Sequence, residues 1–216
     1  MPTSEAEQVI TIDGPSGVGK TTLGRWLADR QRFGYCESGY VYRAIAYRTL
    51  VEKIGEGEWD ERLAEGLTVT ARQPPPEPGL QEVLLEGRSL DIEEELYSPA
   101  VDERVVKVAT IEAVRRVVSR VCRPLVERGR LVLSGRDAGS AIAPQASIKL
   151  FLTAERSARI ARRGGRIAET SHREELESRL LSDRIVPSPD ATVIDTTDLS
   201  QEEVRSLAWK AIAAER

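Results

Sequence analysis

The run Gly14-Pro15-Ser16-Gly17-Val18-Gly19-Lys20-Thr21 sets two glycines five residues apart, directly ahead of a lysine and a hydroxyl. This is the G-x-x-x-x-G-K-[ST] pattern of a phosphate-binding loop. Each residue type in it has a chemical task. Glycines let successive backbone N–H groups converge on one anion, and a helix starting at the same point adds the positive end of its dipole. The Lys20 ammonium can reach the β- and γ-phosphates of a nucleoside triphosphate, and the Thr21 hydroxyl oxygen suits Mg2+. The loop leaves the acceptor of the terminal phosphoryl group open, because hydrolases, motors and small-molecule kinases all use it.

Guanidinium chemistry is the second signal. Only five of the 31 basic residues are lysine, and arginine's planar fork clamps phosphate and carboxylate in pairs of hydrogen bonds. Eight arginines crowd one stretch: Arg156, Arg159, Arg162, Arg163, Arg166, Arg173, Arg179 and Arg184. Interleaved acids make most of them a solvated, ion-paired surface. Arg159, Arg163, Arg173 and Arg179 are the candidates for phosphate contact. The net charge of −4 argues against a general nucleic-acid binder. With His172 the single histidine, and Cys36 and Cys122 the two thiols, neither a zinc cluster nor a disulfide scaffold is expected. No apolar run approaches the roughly 20 residues of a membrane span, and Met1–Gln8 is too polar and acidic for a signal peptide. The expectation is a cytoplasmic, monomeric chain with no membrane or nucleic-acid partner.

The positioning elements read as alternating strands and helices, hence an α/β fold. Val9–Ile12 is a buried strand entering the glycine-rich loop, and Lys20 to about Arg30 a helix leaving it. A second helix covers Val41 to about Ile54. Leu67–Ala71 and Gln81–Leu85 read as strands flanking the proline tract at 74–79. From Val101 to Arg128 the apolar stripe changes phase, so two helices meeting near Thr110 are expected. Leu131–Leu133, Ile148–Leu152 and Thr192–Asp195 are further strands. A charged helical stretch interrupted at Gly164-Gly165 spans Arg156–Arg184, and a last helix runs from a Ser200/Glu203 capping box to Ala214.

Three further segments narrow the chemistry: Glu37-Ser38-Gly39-Tyr40-Val41-Tyr42-Arg43, Gly135-Arg136-Asp137-Ala138-Gly139-Ser140, and Pro187-Ser188-Pro189-Asp190-Ala191 ahead of Ile194-Asp195-Thr196-Thr197. With Ile10–Gly17, and in this order along almost the whole chain, they resemble the bacterial cytidylate kinases among the nucleoside monophosphate kinases. The resemblance implies a three-layer P-loop core with a mostly parallel sheet, an acceptor-binding insertion and a short helical lid. The core would comprise 8–66, 99–155 and 186–216, the insertion about 67–98 and the lid about 156–185. It implies that Gly14, Pro15, Ser16, Gly17, Val18, Gly19, Lys20, Thr21 and Thr22, with Arg163, hold ATP. Ser38, Arg43, Arg115, Arg136 and Asp137 would hold the acceptor, CMP or dCMP. Lys20, Arg136, Arg173 and Arg179 would act on the transferring group, and Thr21 would hold Mg2+.

The chain also departs from that family. Ser134 stands where an acidic residue usually precedes Gly-Arg-Asp, and Tyr97 and Val106 stand where an arginine and a serine are common. The lid pattern is altered too, over Arg173–Arg179. Val106 and Tyr97 suggest the alternative of a kinase with another small acceptor. Ser134 and the lid suggest a nucleotide-binding regulatory module without turnover.

Overall fold

The computed structural model describes residues 8–74, 80–162, 175–176 and 178–214. Five strands form the main sheet: β1 (Val9–Asp13), β2 (Gly34–Glu37), β6 (Leu131–Ser134), β7 (Ile148–Thr153) and β8 (Thr192–Asp195). Their order is β2-β6-β1-β7-β8, and every neighbouring pair is parallel. A smaller antiparallel sheet, β3 (Leu67–Val69), β4 (Val83–Leu85) and β5 (Arg88–Ser89), follows the chain between the first and second halves. The helices include α1 (Lys20–Gln31), α2 (Ser38–Val51), α3 (Pro99–Val108), α4 (Glu112–Arg128), α5 (Arg156–Ala161) and α6 (Gln201–Ala214).

Side-chain alternation decides which helix each face receives. Ile10, Ile12, Tyr35, Val132, Leu150 and Leu152 point to one face and pack with Leu23 and Leu27 of α1 and Ala208 and Ile212 of α6. Val9, Cys36, Leu131 and Leu133 point to the other and meet Leu125 and Val126 of α4. Strands covered on both sides are mainly apolar, and the fully buried β1 and β6 carry only Thr11, Asp13 and Ser134 as polar residues. This is the expected α/β layering. A further apolar cluster joins α2, α3 and α4 to the small sheet through Val41, Ile45, Val83, Leu96, Val106 and Val118.

The expected break near Thr110 falls between the end of α3 at Val108 and the start of α4 at Glu112. The Ser200 capping box is present, with Glu203 N donating to Ser200 Oγ (3.3 Å) and Ser200 N donating to Glu203 Oε2 (2.8 Å). Two strands were not foreseen. β5 is two residues long. β2 is four residues, and its outer edge is covered by other parts of the chain. Tyr35 N donates to the Arg72 carbonyl (2.9 Å) and Arg72 N to the Tyr35 carbonyl (2.7 Å). Arg72 is itself anchored by two hydrogen bonds to the Asp29 carboxylate of α1 (2.6 and 3.3 Å).

Because β1 lies between β6 and β7 while the chain runs first to β2, the strand order reverses at β1. The carboxyl ends of β1, β2 and β6 therefore open onto one crevice, the place where doubly wound sheets bind ligands.

Candidate functional site: a divided cavity at the carboxyl edge of the sheet

Two glycines explain how the loop after β1 turns. Gly14 has φ +134°, and a Cβ there would lie 2.0 Å from the Leu152 carbonyl oxygen. Gly19, at φ +95°, caps α1; a side chain at either position would be strained. No side chain caps the first turn of α1, and no acidic residue lies within it. Its N–H groups and the dipole are thus left for an external anion. Lys20 Nζ donates to the Pro15 carbonyl at 2.6 Å, folding the ammonium back over the loop.

This loop lines one side of a cavity of about 590 Å3. Behind it stands Asp13, the last residue of β1, buried and accepting N–H bonds from Ala138 and Gly139, both at 2.7 Å. Burial pushes its carboxyl up to about 6, against the opposing pull of those two N–H groups. Asp13 thereby ties the segment after β6 to the phosphate loop. Over the loop, Arg159 Nη1 donates to the Ser16 carbonyl (3.3 Å). Arg162 donates to Thr196 Oγ1 (2.9 Å) and to the Thr196 and Thr197 carbonyls.

Glu37 ends β2 and faces the start of α1. Thr21 Oγ1 donates to Glu37 Oε2 (3.2 Å). The other oxygen, Oε1, is buried and meets no donor among the described residues. The backbone of Glu37 is held by Gln81, whose side-chain oxygen accepts from Glu37 N (2.7 Å) and whose amide donates to the Glu37 carbonyl (3.1 Å). Directly across the ladder from Glu37 is Ser134, its Oγ hydrogen-bonded to the Tyr35 hydroxyl at 2.9 Å.

The far wall comes from α2, α3, α4 and the β6 end. Ser38 Oγ donates to the Ser134 carbonyl (3.0 Å). Arg115 and Asp137 form a close ion pair, and Arg136 lines the cavity beside them. Arg43 is 3% exposed and strongly engaged: it donates to the Leu96 carbonyl (2.7 Å) and to Asp102 (2.6 Å). Its guanidinium also lies 3.9 Å from the centre of the Tyr97 ring. Arg43 therefore braces this wall while also lining the cavity. Val105, Val106, Ala109 and Tyr42 give the wall an apolar surface.

Ser16, Gly17, Val18, Gly19, Lys20, Thr21, Thr22, Ser38, Arg43, Arg115, Arg136 and Asp137 all line this one cavity. Gly14 and Pro15 form the stem of the loop outside the lining. Arg179 is exposed and stands apart from the cavity, whereas Arg163 and Arg173 lie outside the described residues. Sequence reasoning passed over Glu37, Arg162 and Arg184, which line the cavity, and Asp13 behind it. For Asp13 a signal existed: an acid closing an otherwise apolar buried strand needs a reason to be there. Arg184 reaches the cavity while paired with Glu112 (3.2 Å).

Among the described residues, no three His, Cys, Asp or Glu side chains gather as a metal cage. Mg2+ needs no such cage, since it is commonly shared by one or two protein oxygens, phosphates and water. Thr21 Oγ1, with the unsatisfied Glu37 Oε1 beside it, fits such an ion.

Comparisons with known proteins agree with this geometry. Among solved structures, the gluconokinase of Sinorhizobium meliloti superposes with a TM-score of 0.51 at 14% identity, covering 98% of this chain and 94% of that one. The thymidylate kinase of Candida albicans gives 0.50 at 14% identity, covering 98% and 93%. These two share the fold. In sequence, the cytidylate kinase of Roseiflexus castenholzii is 38% identical over 96% of this chain and 94% of its own. That of Caldanaerobacter subterraneus is 33% identical over 94% and 93%. The family model for cytidylate kinase matches residues 10–214, from the second residue of β1 to the last of α6, and the chain belongs to the cytidylate kinase family.

Proposed function

We propose that the protein transfers the γ-phosphoryl group of ATP to CMP or dCMP, with Mg2+, giving ADP and CDP or dCDP. Family membership makes it a nucleotide kinase. One observation carries the finer reading: the phosphate loop and the Arg115–Asp137–Arg136 wall line a single cavity, so a triphosphate and a second anion can meet inside it.

The chemistry follows from the residues. The open N–H groups of α1 and the loop bind the β- and γ-phosphates, and Lys20 exchanges the Pro15 carbonyl for phosphate oxygen as the nucleotide enters. Arg162, at the Thr196–Thr197 turn, borders the nucleoside end of ATP. On the other side, Arg136 and Arg115 neutralise the acceptor phosphate, and Asp137 accepts from the amino edge of the pyrimidine once Arg115 turns to phosphate. Ser38 and Arg43 belong to the same acceptor site, Arg43 while also keeping α2 and α3 in register. Thr21 would hold Mg2+, which would supply charge neutralisation on the phosphates. No general base is required, because the acceptor phosphate is already an anionic nucleophile, and catalysis is positioning plus charge neutralisation. The division into a core, an acceptor-side insertion at about 67–98 and a lid at about 156–185 belongs to the same proposal. So do Arg163, Arg173 and Arg179 as contacts made on lid closure.

A coupled ADP-release assay across CMP, dCMP, UMP, AMP and non-nucleotide acceptors tests the reading. Preferred turnover of CMP and dCMP is expected. Turnover of some other acceptor alone would replace it with the other-acceptor kinase that Val106 and Tyr97 allow. ATP binding without turnover of any acceptor would leave a regulatory module.

A further inference from the structure

We infer that Glu37 supplies the carboxylate of the Mg2+ site, taking the place that Ser134 cannot fill; the inference rests on the ATP·Mg2+ reading above. Among the described residues, the carboxylates of Asp13, Glu37 and Asp137 stand near the phosphate loop, and two of these three are already committed. Both Asp13 oxygens accept backbone N–H groups at 2.7 Å, and Asp137 is paired with Arg115. Glu37 alone of the three has an oxygen, Oε1, that is buried and without a donor among the described residues. A carboxylate oxygen left this way is costly, and a cation in the adjoining cavity relieves it.

The surrounding bonds aim it. Thr21 gives its hydroxyl proton to Glu37 Oε2, which leaves the lone pairs of Thr21 Oγ1 free for a cation. Two hydrogen bonds from Gln81 to the Glu37 backbone fix where the side chain starts. Ser134, the register partner of Glu37 on β6, is neutral and has its hydroxyl engaged by Tyr35. The negative charge at this edge is therefore delivered from the neighbouring strand end, next to the Thr21 hydroxyl. Gln81 acts here as a positioning residue.

The test uses the full chain, β,γ-methylene-ATP and Mn2+ without any acceptor. Free Mn2+ is read by electron paramagnetic resonance, and nucleotide affinity is measured separately in EDTA. Glu37→Gln, which keeps shape and removes charge, should weaken Mn2+ in the nucleotide complex by about tenfold or more, while metal-free nucleotide affinity changes less than about twofold. Glu37→Asp, which keeps the charge, should lose less Mn2+ affinity than Glu37→Gln. Wild-type Mn2+ affinity in Glu37→Gln, or equal losses in the two variants, would overturn the inference and leave the kinase reading standing. Failure of the wild-type chain to bind the nucleotide at all would remove that reading and the inference together.

Discussion

Lys20 waits on a backbone carbonyl, and the energetics of that arrangement favour exchange. A neutral carbonyl at 2.6 Å holds an ammonium less strongly than a multiply charged phosphate does, so the lysine moves without a large reorganisation. Lys20→Ala should lower kcat/KM by at least roughly 100-fold while leaving the thermal midpoint within a few degrees. Steady-state kinetics beside a melting curve decide it, and retained turnover would remove the loop from the chemistry. Asp13 makes a different prediction. Its carboxyl titrates near 6 in the folded chain against 3.8 when unperturbed, so folding favours the protonated form. Its contribution to stability is full below pH 3.8 and is lost as pH rises through 6. Asp13→Asn cannot titrate. Between pH 4 and 7 its stability relative to the wild type should therefore improve by roughly 1–3 kcal/mol, superimposed on a constant loss from the N–H bond an amide cannot accept. Urea unfolding at several pH values measures this, and a pH-independent difference would contradict it.

Elements differ in how much of them the local sequence reveals. The phosphate loop was legible because all its determinants are contiguous: a buried strand, glycines where the backbone needs them, then a helix. The α3–α4 break was legible from the phase of its valines. β2 was not, because Gly34–Glu37 is short and begins with glycine. Its extended form depends on β6 on one side and on Arg72 and Gln81 on the other. Glu37 was missed for the same reason: its setting comes from Ser134 and Gln81, far along the chain. Ser38, Arg115 and Asp137, which line the cavity, were singled out through family resemblance, which supplies long-range placement that spacing cannot. Arg162 and Arg184 reach the cavity and Arg179 does not, because helical phase within an arginine-rich stretch is hard to fix when every face is charged. The loop also carries a steric prediction at this scale. Gly14→Ala would drive a methyl into the Leu152 carbonyl, with 2.0 Å between them. It should cost more than about 2 kcal/mol in chemical unfolding; near-neutral stability would mean that β7 can yield.

Across the whole molecule, residues from both ends and from the middle of the chain line one cavity. Thr196 and Arg205 border the same space as Tyr97 and Val106. A bisubstrate ligand joining adenosine and cytidine through a chain of phosphates should therefore bind at least about 100-fold more tightly than CMP alone, since the second half binds intramolecularly. Calorimetric titration checks this, and additive weak binding would show that the two ends are not bridged. The bonds along β2 have a separate outcome. The outward-facing peptide groups of Tyr35 and Glu37 are already taken, one by the Arg72 backbone and the other by the Gln81 amide acting as a counterfeit strand. An uncovered strand at a sheet margin is a template on which further chains can stack. The contacts that point a carboxylate at the phosphate loop thus also close the β2 margin of the sheet, giving Gln81 a part in keeping neighbouring molecules from joining along that edge.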